Sequence, residues 1–541
     1  MKKTIIFYPF LFAIYPILGL YSRNLTEIQP WELVRPLFFA LIATTLFFLV
    51  LSRLFKDRER AAFLAAFLIF FYSASELVYR VLEGYLIPGL NESFHRVLLL
   101  TVTLMLILLG SRAVWDKYMT APRRKLMLQY LNAVSLLIIF FPLFNIASFW
   151  MTAWDDALLP WSGYIGQNEP AQPLSTDSRP DIYYIILDGY SRSDIQQQLY
   201  GFDNSSFLDE LKQRGFFIGE ESQSNYLRTS LSITSALNME YINFTEDLAG
   251  PKSINRIPLF ELASNNRARR LLEDAGYKFV LVDSGSAFTR FYDADVFVTP
   301  FRTRPNLFEM WFYSTTALNA LYEPELPFTR TLQDVLPVAG FSTHRIFVTE
   351  ALYQLASMPQ IESPKFVFAH VIAPHPPFVL GPKGEPLHPP YPYVASDGAS
   401  FAADINTYQK GYLDQVTYLN GQVLKTIDNI LANSTQPPVI VIQGDHGPGL
   451  LLNLYGDVPQ TCMWERASIL NAYYFPQEKT GRLYSSISPI NSFRVIFNTY
   501  FETSFEILPD RTFYSLFKMP YDFIDISDTV RENCGTTPRS E

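Results

Sequence analysis

Two apolar runs in this chain each stop abruptly at residues able to hold a divalent cation. Asp181-Ile182-Tyr183-Tyr184-Ile185-Ile186-Leu187 runs into Asp188-Gly189, and Val439-Ile440-Val441-Ile442-Gln443 runs into Gly444-Asp445-His446-Gly447-Pro448. Strands buried on both faces of a parallel sheet read as continuous apolar runs, and ligands of open α/β sheets gather at the carboxyl ends of such strands. Asp188, Asp445 and His446 therefore describe a metal site assembled from distant parts of the chain. Two hard carboxylates with one imidazole suit Mn, Mg or Zn.

Between these two ends lies the stretch Ser224 to Met239. Its hydroxyl-rich start, followed by Leu231, Ile233, Ala236 and Leu237, predicts a helix N-terminus, where free N–H groups and the dipole favour phosphate or sulfate. Taken alone, Ser and Thr there are ordinary N-caps; beside Asp188 and Asp445-His446 they offer a hydroxyl nucleophile at an anion site. Histidine is scarce, with six in the chain, yet His370 closes an apolar strand, His375 follows in a proline-rich loop, and His446 ends another strand. Either of the first two could singly be a core histidine.

The elements that must position these groups follow from periodicity. Strands are expected at 181–187, 277–282, 365–372, 439–443 and 469–475, and helices at 205–214, 259–275, 402–432 and 490–500. Such alternation predicts an α/β sandwich around a mostly parallel sheet. Residues 153–180, rich in Pro, Gly, Ser, Asp and Gln, read as a linker over the membrane surface. The expected domains are a transmembrane region of five helices over 1–152, the linker, a catalytic domain over 181–520 and a tail over 521–541. Ser284 to Tyr322 and Pro376 to Ser400 read as insertions shaping a substrate entrance that faces the membrane. Glu465 and Arg466 offer a pair behind the site, and are read here as a surface ion pair.

Five apolar stretches precede residue 152: Thr4–Tyr21, Leu33–Leu51, Ala61–Tyr79, Val97–Gly110 and Leu128–Trp150. A span takes about 20 residues, so the fourth needs snorkelling from Arg96 and Arg112. Lys2, Lys3, Arg53, Lys56, Arg58, Arg60, Arg112, Lys117, Arg123, Arg124 and Lys125 fall in alternate loops, whereas Glu27, Glu32, Glu83 and Glu92 fall in the others. The positive-inside rule then predicts a multi-pass protein of the plasma (inner) membrane, with a cytoplasmic N-terminus and everything beyond Trp150 outside. No Ala-x-Ala cleavage site follows the first stretch, so an uncleaved span is preferred to a signal peptide. Glu76 and Arg80 read as an interfacial anchor.

Composition excludes more than it identifies. At 541 residues and a net charge of −9, with no basic tract, the chain has room for more than one domain and no nucleic-acid footprint. Two cysteines, Cys462 and Cys534, supply neither a zinc module nor a disulfide framework. One bridge between them is open if that region lies in an oxidising compartment; the other reading is two unrelated small residues.

Leu187-Asp188-Gly189, Thr229-x-x-Ser232 and Gly444-Asp445-His446-Gly447 together resemble the alkaline phosphatase and sulfatase superfamily over about residues 180–510. The five-span anchor ahead of an extracytoplasmic domain is similar to lipoteichoic acid synthases and lipid A phosphoethanolamine transferases. The resemblance implies Thr229 as nucleophile and metal ligand, with Asp188, Asp445 and His446 as the other ligands. Those transferases tend to carry Glu where this chain has Asp188. Their His-x-x-Gly-x-His-Gly-Pro segment resembles His370 to Pro377, which implies substrate or second-metal positions for His370 and His375. They also have a further His after the Asp-His pair that has no counterpart here, so one ion is expected. Formylglycine sulfatases need a Cys/Ser-x-Pro-x-Arg motif that neither cysteine occupies.

The expected chemistry is a metal-dependent phosphotransfer. A threonine hydroxyl is a poor nucleophile at neutral pH, and a metal would stabilise its alkoxide and neutralise charge on the phosphoryl oxygens. In-line attack would leave phospho-Thr229, with His370 and His375 orienting the phosphoryl group or assisting the leaving alcohol, and Arg228 or Asn225 holding an oxygen. An acceptor hydroxyl then gives a transferase of phosphoethanolamine or phosphoglycerol type, and water gives a phosphodiesterase or phosphatase. A catalytically silent module binding envelope glycans is the non-enzymatic alternative. The expected partner is a membrane lipid or lipid-linked glycan as substrate, with no nucleic acid and no obligate protein partner.

Overall fold

The computed structural model describes residues 5–82, 98–105, 115, 117–158, 161–167, 169, 172–175, 179–321, 335–389, 391, 393, 397–401, 403–453, 461–531 and 534. They group into two compact units, Met1–Trp154 with Phe301–Thr343, and Asp155–Pro300 with His344–Glu541.

The first unit is helical. Among the described residues, three helices are long and apolar enough to cross a membrane: Pro30–Phe55, Arg58–Tyr79 and Ala121–Thr152. The first expected span forms a shorter apolar helix, Tyr8–Tyr21; of the fourth, residues 98–105 are helical and the remainder lies outside the described residues. The tight basic loop between two of the spans has a local cause. Lys56 ends one helix in the left-handed conformation (φ 52°), and the Asp57 carboxylate accepts from the N–H groups of Glu59 and Arg60 to open the next. Its second oxygen accepts from Trp115 Nε1 and Arg124 Nη1, both at 3.1 Å. In this unit Glu76 accepts from Asn319 at 3.3 Å.

The second unit is built on seven strands: β1 (Ile182–Leu187), β2 (Phe216–Ile218), β3 (Lys278–Val282), β4 (Val296–Val298), β5 (Lys365–Val371), β6 (Val439–Gln443) and β7 (Asn471–Tyr474). Their order is β2-β7-β6-β1-β5-β3-β4. The five from β6 to β4 are parallel, and β7 runs antiparallel to both neighbours. Every residue of β1, β5 and β6 is buried, which is why these segments carry continuous apolar runs rather than alternation. Central β1 lies between β5 and β6, with Ile186 level with both His370 and Gln443. The next residues of β1 and β6 leave the sheet side by side, so Asp188 and Asp445 emerge together at the carboxyl edge.

Several segments differ from their sequence reading. The expected helix over 259–275 is two, Ile257–Ser264 and Arg267–Asp274, because the Asn266 side chain accepts from Arg269 N and caps a second start. The described residues of 153–180 are not a free linker. Trp161 is fully buried with Ile165, Tyr226, Leu231 and Tyr521, and Glu169 binds Arg267 and Arg494 at 2.7 and 2.6 Å. Burying an aromatic side chain contributes about 2–3 kcal/mol, enough to hold a polar strap against the domain.

The stretch 284–322 is divided. Its first part holds β4, whereas residues from Phe301 belong to the helical unit. There, helix Leu307–Ser314 carries a capping box of Asn306 and Glu309, Phe308 and Phe312 pack with Ile17, Tyr21 and Leu33, and Arg35 donates to Glu309. Nor are the described residues of 521–541 a tail: β9 (Met519–Asp525) pairs with β8 (Phe513–Leu516), and Cys534 is disulfide-bonded to Cys462; residues 532–533 and 535–541 lie outside the described residues.

Candidate active site

Asp188, Asp445 and His446 meet at the carboxyl edge, each buried, with ligand atoms all within 4.8 Å of one another. Close turns make this possible. A Cβ on Gly444 would lie 2.4 Å from Tyr190 O, and one on Gly447 2.0 Å from Glu465 O, so only glycine lets the Asp445-His446 pair sit between them. The Ser224 hydroxyl, 3.0 Å from that of Ser232, fastens the Asp445 carbonyl from the other side.

The two carboxylates are each satisfied on one oxygen only. Asp188 Oδ2 lies 3.2 Å from His370 Nε2 and Asp445 Oδ1 accepts from Gly189 N at 3.1 Å. Asp188 Oδ1 and Asp445 Oδ2 are buried with no hydrogen-bond partner, and they lie 3.6 and 3.2 Å from His446 Nε2. With His446 Nδ1 donating to Gly447 O at 2.9 Å, its Nε2 lone pair, which accepts from Arg466 Nη2 at 3.0 Å, stands beside the two bare oxygens. Such a concentration of acceptors is costly unless a cation shares it, so the donor set fits a divalent metal.

Thr229 opens the helix Thr229–Asn238, with Arg228 as N-cap. Its Oγ1 lies 3.0 Å from His446 Nε2, so the nucleophile implied by resemblance reaches the same point. Arg228 is placed by stacking, its guanidinium 4.7 Å over the Phe517 ring.

Electrostatics sort the titratable groups. Burial opposes ionisation of Asp188, but the His375 charge, the His370 hydrogen bond and the His446 charge hold its pKa well below the usual carboxylate range. Burial and the neighbouring Arg466 push the His446 pKa down, against Asp445 and Asp188, which favours the neutral ring a metal needs. For His375 the burial cost is outweighed by Asp188 and Asp397, and its pKa is raised. That ring is pinned through Nδ1 to Pro376 O at 2.6 Å, with Nε2 3.6 Å from Asp397.

Two expected substrate contacts are not available for that role. The Asn225 amide donates to Ser488 Oγ and Arg511 O and accepts from Ile490 N, at 2.9–3.0 Å. It staples the helix Pro489–Tyr500 and the approach to β8 instead. His370 has Nε2 3.2 Å from Asp188 Oδ2 and Nδ1 3.0 Å from Thr289 Oγ1, so both ring nitrogens are engaged within the protein.

Glu465 and Arg466 are no surface pair: they are 0% and 4% exposed and bind different partners. Arg466 reaches His446 Nε2 at 3.0 Å and Asp397 at 2.6 Å. Glu465 accepts from Tyr200 and from Leu451 N. Asp397 was missed because it lies in a proline-rich loop with no motif around it. It also accepts from Tyr408 at 2.7 Å, and burial is overcome by Arg466 and His375 to keep its pKa low. His344 was missed as well; burial and the His375 charge push its pKa down to about 4.

Glu465 gives a pH prediction. Burial above all pushes its pKa up from 4.5 to about 7. The folded chain therefore binds a proton that the unfolded chain has lost between those values, and stability falls as pH rises through that window, by up to about 3 kcal/mol. Thermal unfolding in detergent at pH 5 and pH 8 is expected to show Glu465→Gln little changed at the lower pH and stabilised at the higher. An equal effect at both would contradict the burial argument.

A family model described as Sulfatase matches residues 180–486. No curated relative matches the chain. Similar solved structures include the C-terminal periplasmic domain of EcEptC from Escherichia coli in complex with Zn. That likeness has 13% identity and TM-score 0.38, covering 67% of this chain and 98% of that one. Another is the integral membrane protein lipooligosaccharide phosphoethanolamine transferase A (EptA) from Neisseria meningitidis, at 14% identity and TM-score 0.37, covering 91% and 95%. The phosphonate monoester hydrolase of Agrobacterium radiobacter matches at 14% identity and TM-score 0.38, covering 62% and 80%.

Proposed function

Because the chain belongs to the sulfatase family, an enzyme family acting on sulfate and phosphate esters, we propose that it is a membrane-anchored, divalent-metal-dependent phosphotransferase working through Thr229. The carrying observation is the meeting of Thr229 Oγ1 and His446 Nε2 at 3.0 Å beside two carboxylates that each leave one buried oxygen bare. Both cysteines are consumed in one disulfide and no serine stands in a Ser-x-Pro-x-Arg motif, so no residue is available for conversion to formylglycine, and a phosphoester substrate is favoured over a sulfate ester.

Asp188, Asp445, His446 and Thr229 would hold the metal, which when bound supplies positive charge favouring the Thr229 alkoxide and screening the phosphoryl oxygens. Mn, Mg and Zn all suit this donor set. Thr229 attacks phosphorus in line, its P–O bond forming as the bond to the leaving alcohol breaks. The Thr229 proton leaves to solvent as the alkoxide forms; His375, whose surroundings favour the imidazolium, would give a proton to the departing alcohol and recover one from the acceptor hydroxyl. Arg228 adds a cation next to the nucleophile. An acceptor hydroxyl then takes the group from phospho-Thr229 and restores the free side chain.

The apolar helices support an inner-membrane setting with the N-terminus cytoplasmic and the catalytic unit outside, where the Cys462–Cys534 bridge is stable. A substrate held in the bilayer suits that anchor: a lipid donor of a phosphoethanolamine or phosphoglycerol group, with an envelope glycan or lipid as acceptor. The test is incubation with vesicles of phosphatidylethanolamine and phosphatidylglycerol labelled in the head group. Metal-dependent transfer of label to a second lipid or glycan is expected. Release to water alone would make the protein a hydrolase, and no metal-dependent turnover would overturn the proposal.

A further inference from the structure

We propose that Thr289 is a positioning residue: its hydroxyl fixes the tautomer of His370 and thereby holds the Asp188 carboxylate with its second oxygen turned towards His446. The proposal rests on reading Asp188 as a metal ligand.

His370 lies in β5 level with Ile186 of β1, which brings its ring alongside Asp188. An ionised carboxylate only accepts, so His370 Nε2, 3.2 Å from Asp188 Oδ2, must carry a proton. In the neutral ring Nδ1 is then a bare acceptor. Thr289 Oγ1 stands 3.0 Å from it and can donate. The other tautomer would set two lone pairs against each other across the Asp188 contact. Asp188 Oδ2 is thus fixed, and the bare Oδ1 is what remains to face His446 Nε2 at 3.6 Å.

The loop that delivers Thr289 is built to stay in place. Asp283 and Arg290, each 1% exposed, form an ion pair at 2.7 Å, and Asp283 also accepts from Gly285 N at 3.0 Å. The Ser284 hydroxyl donates to the His370 carbonyl, so the loop grips the same residue at backbone and ring. Gly285 takes φ +80°, and a Cβ there would lie 2.6 Å from the Phe347 ring. Thr289 itself is 4% exposed, so water does not replace its hydroxyl. A group that orients a ligand through a histidine typically changes metal affinity 10- to 100-fold.

The experiment titrates the purified full chain in detergent with Mn2+ and Zn2+ against a chelating dye, for the wild type, Thr289→Val and Thr289→Ser. Thr289→Val keeps the shape and removes the donor; affinity is expected to fall about 10- to 100-fold, and Thr289→Ser to restore it to within about threefold. Should Thr289→Val fold poorly, the comparison moves to the His370→Gln background. There an amide can donate to Asp188 without Nδ1, so adding Thr289→Ser or Thr289→Val should change metal affinity by less than about twofold. Wild-type affinity in Thr289→Val, no rescue by Thr289→Ser, or a full further loss in the His370→Gln background would each overturn the proposal. A wild type that binds neither ion would overturn the reading of the metal site along with it.

Discussion

Thr229→Ala is expected to lower turnover of a phosphodiester substrate by at least about a thousandfold, with divalent-metal binding weakened far less. In the proposed mechanism the side chain supplies the attacking oxygen, and removing a nucleophile removes the covalent route altogether rather than one stabilising contact. Asp188, Asp445 and His446 would still offer three ligands, because Thr229 touches only His446 Nε2 among them in the described hydrogen bonds. Thr229→Ser keeps an oxygen on the first residue of the helix and is expected to retain measurable turnover. Steady-state rates with a chromogenic phosphodiester, beside metal content by elemental analysis, check both. Equal loss of metal in Thr229→Ala and Asp445→Asn would mean that Thr229 acts as an essential ligand and not mainly as nucleophile.

The second large effect is expected at Asp445, and its sign depends on the metal. Asp445→Asn keeps an oxygen for Gly189 N and places an amide where the bare Oδ2 stood, 3.2 Å from His446 Nε2. Without metal, the variant no longer buries a second bare carboxylate oxygen beside that of Asp188, and the apo protein is expected to become more stable by about 1 kcal/mol. With metal, the wild type gains RT ln(1 + [L]/Kd), about 2.7 kcal/mol at a hundred times Kd, and the variant loses most of that gain. Thermal unfolding with and without excess Mn2+ therefore should show the order of the two proteins reversing. A variant less stable than wild type in both conditions would mean that Asp445 is a structural acceptor only.

The parts of this account that could be read from the sequence are those with a local cause. Asp188 and Asp445-His446 were visible because each interrupts a strand buried on both faces. The parallel core followed from the same runs. Thr229 needed resemblance, since a hydroxyl at a helix start has a capping explanation of its own. Trp161 and Tyr521 were hidden for a different reason: single aromatics within polar stretches have no period, yet each is fully buried. Strands β2 and β4 have three residues each, too few to show alternation.

What the sequence concealed about the site is its support. Thr289, Asp397 and Arg466 come from loops and a short helix whose spacing carries no signal, and only tertiary contact gives them meaning. Asn225 and His370 show the converse. Both sit beside motif residues and were expected to meet substrate, but their hydrogen-bonding groups are already used within the protein.

The central claim is that a phosphorus-containing group passes through Thr229. It is tested most directly by acid-quenching the metal-loaded wild type during turnover of a phosphodiester and measuring the mass of the peptide that contains Thr229. The account predicts a phospho-adduct on Thr229 that disappears in Thr229→Ala and when metal is chelated. Rapid turnover with no adduct on that peptide, together with retained activity in Thr229→Ala, would contradict it.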